Sequence, residues 1–226
     1  MTYDCIHPGV FQARPNRFIA WVELEGETCR CHVPNTGRLR ELLIPGARVW
    51  CQYHPAPGRK TAWTLLAVEH RGTVVNIDSQ VPNRLAADFV RSGGLGLMPE
   101  RVQPERTFGD SRLDLYYEAG PVRGFAEVKG VTLNEDGTAR FPDAPTERGV
   151  KHLHSLVRAV EAGYRAAALF VIQRGDVTRF EPNQARDPAF ARALREAAAQ
   201  GVEVRALICT VTPGALEITG EVPVCL

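Results

Sequence analysis

Between residues 9 and 78 hydrophobic and polar positions alternate in short runs separated by turn residues. Phe18, Ala20, Val22 and Leu24 fall on one face of an extended segment and Ile19, Trp21 and Glu23 on the other. Glu25-Gly26-Glu27 turns the chain, and Cys29, Cys31 and Val33 resume the alternation. After Pro34-Asn35-Thr36-Gly37 and a helical turn around Leu39 to Leu43, three further runs follow: Val49 to Tyr53, Thr61 to Val68 and Thr73 to Ile77. Five short strands with no long helix predict a small closed barrel of the oligonucleotide-binding (OB) type, a pattern that other small barrels share.

From residue 82 the period lengthens. Leu85, Ala86, Phe89 and Val90 share one face of a helix that Ser92-Gly93-Gly94 stops. Strands follow at Glu105 to Phe108, Arg112 to Tyr117 and Gly124 to Val131, and then an irregular segment from Ala139 to Gly149, rich in proline, acid and base, reads as a wall of a site. A helix from Glu147 to Ala162 carries Leu153, Leu156, Val157 and Val160 on one face, and the fully apolar run Ala166 to Ile172 is a buried strand. Asp187-Pro188 opens a helix that Gly201 ends, and Val202 to Val211 is a last strand. The fold class is therefore α/β (α+β): a barrel domain over residues 1–80 and an α/β sandwich with a mixed sheet over residues 81–226.

Composition narrows the function. With 226 residues, 44% hydrophobic and 23% charged, the chain is of ordinary globular type, which excludes disordered and fibrous classes. The balance of 27 basic and 26 acidic residues leaves +1, so nucleic acid must be met by a local patch. Residues 1–18 lack the pattern of a signal peptide, and the longest apolar run falls far short of the roughly 20 residues of a membrane helix. A cytoplasmic protein without a membrane partner is expected. The six cysteines are expected to be free thiols, because Cys29-Arg-Cys31 lacks the paired spacing of a zinc site and suits one face of a strand.

Only three of the 27 basic residues are lysines, and two of those fall among clustered acids. Asp114 precedes Glu127-Val128-Lys129 by thirteen positions, and in a hairpin both carboxylates and the lysine reach a common edge. Two carboxylates suit a hard cation, Mg²⁺ or Mn²⁺, and an adjacent ammonium can orient water or offset phosphate charge, as metal-assisted phosphodiester hydrolysis requires. Taken alone, such outward carboxylates usually only solvate a surface. Glu105 is a third candidate acid, and Glu147 with Lys151 forms a pair four apart on a helix. His152 and His154 point to different faces and read as surface or interface residues. In the barrel, Arg14, Arg17, Arg38, Arg40, Arg59 and Lys60 are interleaved with Phe11, Phe18, Trp21, Trp50, Tyr53 and Trp63, the mixture that single-stranded nucleic acid uses, although barrel cores also need such rings.

Several blocks resemble the sugar fermentation stimulation protein A family: Pro34 to Arg38, Gly58-Arg59-Lys60, Val81 to Leu85, Ser111 to Asp114, Glu127 to Leu133 and Phe141 to Leu153, with a departure at Pro145. The resemblance implies an OB-type barrel followed by a domain like the PD-(D/E)xK nucleases, non-specific DNA binding, and a role in regulating sugar, particularly maltose, metabolism. It places Asp114 as the first acid, Glu127 and Lys129 as the (D/E)xK pair, and Glu105 and Lys151 at accessory positions. The candidate set is thus Asp114, Glu127 and Lys129 for catalysis; Asp114, Glu127 and Glu105 for Mg²⁺ or Mn²⁺; Glu147, Arg148, Lys151 and Arg112 near phosphate; and Arg14, Arg17, Asn35, Arg38, Arg59 and Lys60 on nucleic acid. DNA is the expected partner with RNA as the alternative, and the apolar segment Val222 to Leu226 leaves a homodimer open.

Overall fold

The first barrel strand lies ahead of the alternating pattern. In the computed structural model, which describes residues 1–55, 58 and 60–226, β1 (Ile6–Asn16) pairs with both β2 (Ile19–Leu24) and β4 (Arg48–Tyr53). Its register against β2 shifts between Phe11 and Ala13 and again between Ala13 and Asn16, and Phe11 is its one fully buried side chain. Gly9 is required there, since a Cβ would stand 2.5 Å from Leu24 Cδ2 and 2.6 Å from the Glu23 carbonyl. With β3 (Glu27–His32), β5 (Trp63–His70) and β6 (Thr73–Asn76), the strand order is β3-β2-β1-β4-β5-β6. A parallel contact setting Cys31 opposite Trp63 joins β3 to β5. The closed barrel is therefore β1–β5, with β6 antiparallel on β5 outside the ring. The predicted count of five holds, but the alternation finds β2–β6 and misses β1.

Ala20, Val22, Leu24, Val49, Leu65 and Val68 fill the barrel together with Cys31 and Cys51, whose Sγ atoms are 3.8 Å apart. All six cysteines are free thiols. This compact unit comprises Met1–Val81 with Gln173–Asp176 and Cys209–Glu217; the second comprises Pro82–Ile172, Val177–Ile208 and Ile218–Leu226.

The second unit begins with α1 (Val81–Arg91), β7 (Arg101–Phe108), β8 (Ser111–Ala119) and β9 (Val122–Val131). There follow β10 (Asn134–Glu135), β11 (Thr138–Phe141), α2 (Glu147–Glu161), β12 (Arg165–Ile172), β13 (Arg179–Pro182), α3 (Pro188–Ala199), β14 (Glu203–Thr212) and β15 (Ala215–Val222). The main sheet runs β15-β14-β12-β9-β8-β7; β9, β12 and β14 are parallel, and β7, β8 and β9 antiparallel. This is the mixed sheet that the sequence predicts. Two elements are additions: β15, and a small sheet β10-β11-β13. The latter corrects the reading of residues 139–141 as irregular, because Thr138–Phe141 pairs in parallel with Arg179–Pro182. Four residues with mixed polarity carry too little period to reveal a strand.

The placement of α2 follows from its capping. Thr146 Oγ1 accepts the Gly149 amide at 3.0 Å, and the Thr146 amide donates to Asp187 Oδ2 at 2.8 Å. Asp187 in turn caps α3 by accepting the Phe190 amide through Oδ1. One carboxylate thereby ties the starts of two helices. Gly149 permits their approach, since a Cβ there would stand 2.8 Å from Thr146 Cγ2 and 3.1 Å from Phe190 Cε2. Below them Phe170 is fully buried, stacked on Phe180 at 4.2 Å between ring centroids and meeting Phe141 and Phe190 edge-on or tilted. Among the described residues, no helix is long and apolar enough to cross a membrane. Phe170→Ala, which empties the centre of this ring cluster, is expected to lower stability by about 3–5 kcal/mol in urea unfolding, with the denaturant slope unchanged.

Candidate metal centre and nucleic-acid interface

The antiparallel ladder between β8 and β9 stops at Leu115 opposite Ala126. The next pair in register would set Asp114 opposite Glu127. Instead the carboxylate of Asp114 enters the gap: Oδ2 accepts the Val128 amide at 2.8 Å and Oδ1 accepts Asn83 Nδ2 of α1 at 3.1 Å. Glu127, only 3% exposed, lies on a strand segment buried from Gly124 to Val128. Its Oε1 accepts Lys129 Nζ at 2.5 Å and also bonds to His152 Nδ1 on α2. Its Oε2 is buried and has no hydrogen-bond partner among the described residues. The two-residue period of β9 thus brings Glu127 and Lys129 to one face as predicted, and the hairpin brings Asp114 to them.

The electrostatics separate the two acids. Burial pushes the Asp114 carboxyl above its ordinary range, and the charge of Glu127 adds to this. The Val128 amide, Lys129 and Asn83 oppose the shift without cancelling it. Burial pulls Glu127 the same way, but the His152 hydrogen bond and the Lys129 ammonium outweigh it and hold Glu127 below the usual glutamate range. An ionised Glu127 accepts only, so His152 donates through Nδ1 and has Nε2 free to accept Arg148 Nε at 3.4 Å.

His152 is the residue that sequence reasoning misplaces. It is 5% exposed and bonded to the candidate ligand. The signal was present in its spacing: His152, Ser155, Leu156 and Ala159 form a buried i, i+3, i+4, i+7 stripe of α2. Other candidates lie elsewhere. Glu105 is across from Asp114, between the pairs Pro104–Leu115 and Arg106–Leu113, but its backbone is left-handed (φ +53°) and its exposed side chain faces Arg112 at 3.6 Å. Among the described residues no group of three His, Cys, Asp or Glu gathers as a cation site, so Glu105 is not joined to the pair. Lys151 Nζ bonds Asp110 at its carbonyl (3.0 Å) and carboxylate (3.2 Å). Glu147 is exposed in the first turn of α2, where its charge suits the helix N-terminus.

On the barrel, a groove of about 670 Å³ is lined by Arg14, Arg17, Arg38 and Arg40. Arg14 does not offer its terminal nitrogens outward: Nη1 donates to the Gly37 and Arg38 carbonyls and Nη2 to those of Arg17 and Asn35, at 2.7 to 2.9 Å. Asn35 is similarly engaged, with Oδ1 accepting the Gly37 amide and Nδ2 donating to the Ile77 carbonyl. These two hold the loop that presents Arg38 and Arg40, while Arg17, Arg38, Arg40 and Lys60 are exposed. Arg59 lies outside the described residues. Of the aromatic residues, Phe18, Trp21 and Tyr53 are exposed and Phe11 and Trp50 are core.

A family model for the sugar fermentation stimulation protein RE domain matches residues 80–215, and one for the SfsA N-terminal OB domain matches residues 13–77. The chain belongs to the sugar fermentation stimulation protein (SfsA) family. A sugar fermentation stimulation protein homolog of Desulfitobacterium hafniense is 49% identical over 217 residues, covering 96% of this chain and 95% of its own length. That of Clostridium beijerinckii is 43% identical over the whole of both chains, 226 residues here. The solved structure of Pyrococcus furiosus SfsA in complex with Ca²⁺ superposes with a TM-score of 0.89 at 32% identity, covering 100% of this chain and 98% of its own. SfsA identity and the barrel-plus-mixed-sheet architecture thus agree between sequence and structure.

In cation-free protein, the Asp114 carboxyl is expected to titrate above the ordinary aspartate range and that of Glu127 below the ordinary glutamate range, read from carboxyl ¹³C shifts. The sign for stability follows: ionised Glu127 stabilises above its ordinary range and that contribution is lost as pH falls through its lowered value, whereas charging Asp114 costs stability as pH rises through its raised value.

Proposed function

We propose that this SfsA chain is a divalent-cation-dependent nuclease acting on DNA without sequence preference, with the cation, Mg²⁺ or Mn²⁺, held by Asp114 and Glu127. The observation that carries this reading is the buried Oε2 of an ionised Glu127, left without a partner beside a second carboxylate. An uncompensated buried carboxylate oxygen is costly, and a cation is the partner that two hard oxygen donors suit. The Ca²⁺ complex of the P. furiosus relative supports the same reading.

When bound, Mg²⁺ or Mn²⁺ would polarise the phosphoryl oxygens and lower the pKa of a water nucleophile. The chain's own residues do the rest. Asn83 and the Val128 amide fix Asp114, and Lys129 and His152 fix Glu127. Lys129, 20% exposed, gives one N–H to Glu127 and keeps others to meet charge developing on the phosphate. Arg148, exposed at the start of α2, has its outer guanidinium nitrogens available for a neighbouring phosphate. In the barrel, Arg17, Arg38 and Arg40 track the backbone of a strand, with Phe18 and Trp21 as stacking surfaces. Lys151 is assigned to Asp110 and carries no phosphate contact in this scheme.

A second reading, a DNA-binding regulator of sugar metabolism without turnover, is favoured by one observation: among the described residues only two acids gather, with Glu105 turned to Arg112. Plasmid, single-stranded DNA and RNA incubated with Mn²⁺ or Mg²⁺ separate the two. Cleavage is expected in wild type, lost in Asp114→Ala and Glu127→Gln, and reduced about 10²–10³-fold in Lys129→Ala. Intact substrates in every wild-type reaction, or undiminished cleavage by Asp114→Ala, would remove the nuclease reading. Replacing Arg17, Arg38 and Arg40 by Ala is expected to flatten the dependence of log affinity on log salt by about 0.7–0.9 for each phosphate no longer neutralised, measured by anisotropy in EDTA.

A further inference from the structure

We infer that His152 is the positioning residue of the cation site: it occupies one oxygen of Glu127 and so fixes the other, Oε2, as the oxygen that meets the cation. The inference rests on the cation-site reading above.

Three observations converge. His152 is 5% exposed, on the one stripe of α2 that is otherwise small or aliphatic, so a polar ring there needs a polar partner. That partner is Glu127 Oε1, which also receives Lys129 Nζ, so this oxygen has both its donors from the protein. The second oxygen of the same carboxylate is buried with none. A carboxylate held at one end by two donors from different elements, a strand and a helix, cannot rotate its open oxygen away without breaking both bonds. The far side of the ring is engaged too, Nε2 accepting Arg148 Nε, which fixes the tautomer with Nδ1 as donor. A donor that orients a ligating group from behind raises metal affinity without touching the metal, and its removal typically lowers affinity about 10–100-fold.

The helix geometry shows how the position is reached. Thr146 and Asp187 set where α2 begins, and Gly149 lets its first turn approach Phe190. His152 follows one turn after Arg148, so the series Arg148–His152–Glu127 crosses from the exposed first turn of the helix to the strand.

Calorimetry with Ca²⁺ on the full chain tests the assignment, using wild type, Glu127→Gln, His152→Asn and His152→Leu, with the thermal midpoint of each recorded without cation. Asn places an amide N–H where Nδ1 donates; Leu fills the volume without a donor. The expected result is a 10–100-fold weaker Kd in His152→Leu and a Kd within about threefold of wild type in His152→Asn, whatever the order of their thermal midpoints. Wild-type affinity in His152→Leu, or equal losses in the Leu and Asn variants, would overturn the role of His152. Should the Leu variant not fold, His152→Gln, whose amide reaches the place of Nε2 instead, takes over the comparison with Asn, and equal affinity of those two would overturn it. Failure of the cation reading itself looks different: wild type gives no binding heat, or Glu127→Gln binds as wild type does.

Discussion

A carboxylate taken almost wholly out of water has to be matched by donors or by a positive ion, and the second unit of this protein is arranged around that requirement at Glu127. Strand β9 carries the acid into the sheet between β8 and β12, where no water can solvate it freely. Lys129 answers from two residues along the same strand and His152 from α2. Both answers go to the same oxygen. The helix must therefore lie where His152 reaches Oε1, and the capping by Thr146, the carboxylate of Asp187 and the missing side chain of Gly149 are the means by which the chain puts it there. Sheet, helix and cap together meet one electrostatic demand.

Much of this was legible in the sequence because it depends on short-range periodicity. The two-residue repeat of Glu127 and Lys129 and the apolar run before Gln173 each follow from the elements' own geometry. The cap of α3 at Asp187 is likewise local chemistry. Strand β1 was not legible, because its register against β2 shifts between Phe11 and Ala13 and again between Ala13 and Asn16, which breaks the alternation, and the bare backbone at Gly9 is demanded by Leu24 and Glu23 of the neighbouring strand. The partner of His152 was hidden for a related reason. A histidine on an amphipathic helix looks like a boundary residue until the acid opposite it is known, and that acid is 25 positions away in the chain. Glu105 shows a different limit: sequence offers it as a third acid, and the register sets it across from Asp114, yet its backbone is left-handed and its side chain faces Arg112.

The barrel repeats the lesson with cations. Arg14 and Arg38 are indistinguishable as members of a basic cluster, but they do different work. Four carbonyl oxygens converge on the Arg14 guanidinium, which replaces a piece of secondary structure by binding loop 35–38 to the β1–β2 turn. Burial and the nearby Arg17 lower its pKa, in keeping with a side chain enclosed by main chain rather than held out to a ligand. The groove's outward charge comes from Arg38 and Arg40, which this loop presents, and from Arg17 in the β1–β2 turn, so the anchoring arginine serves recognition only through the shape it maintains.

The fork between β8 and β9 gives Asp114 two employments. Its carboxylate supplies the acceptor that the β8 main chain would have offered the Val128 amide had the ladder continued. A chain with this fold and no catalysis would still need an acceptor at that point, and an aspartate there speaks for the integrity of the sheet as much as for chemistry. Glu127 has no such second employment for Oε2, which satisfies nothing in the fold. Within this architecture the glutamate, with the histidine behind it, is the more telling marker of a working site.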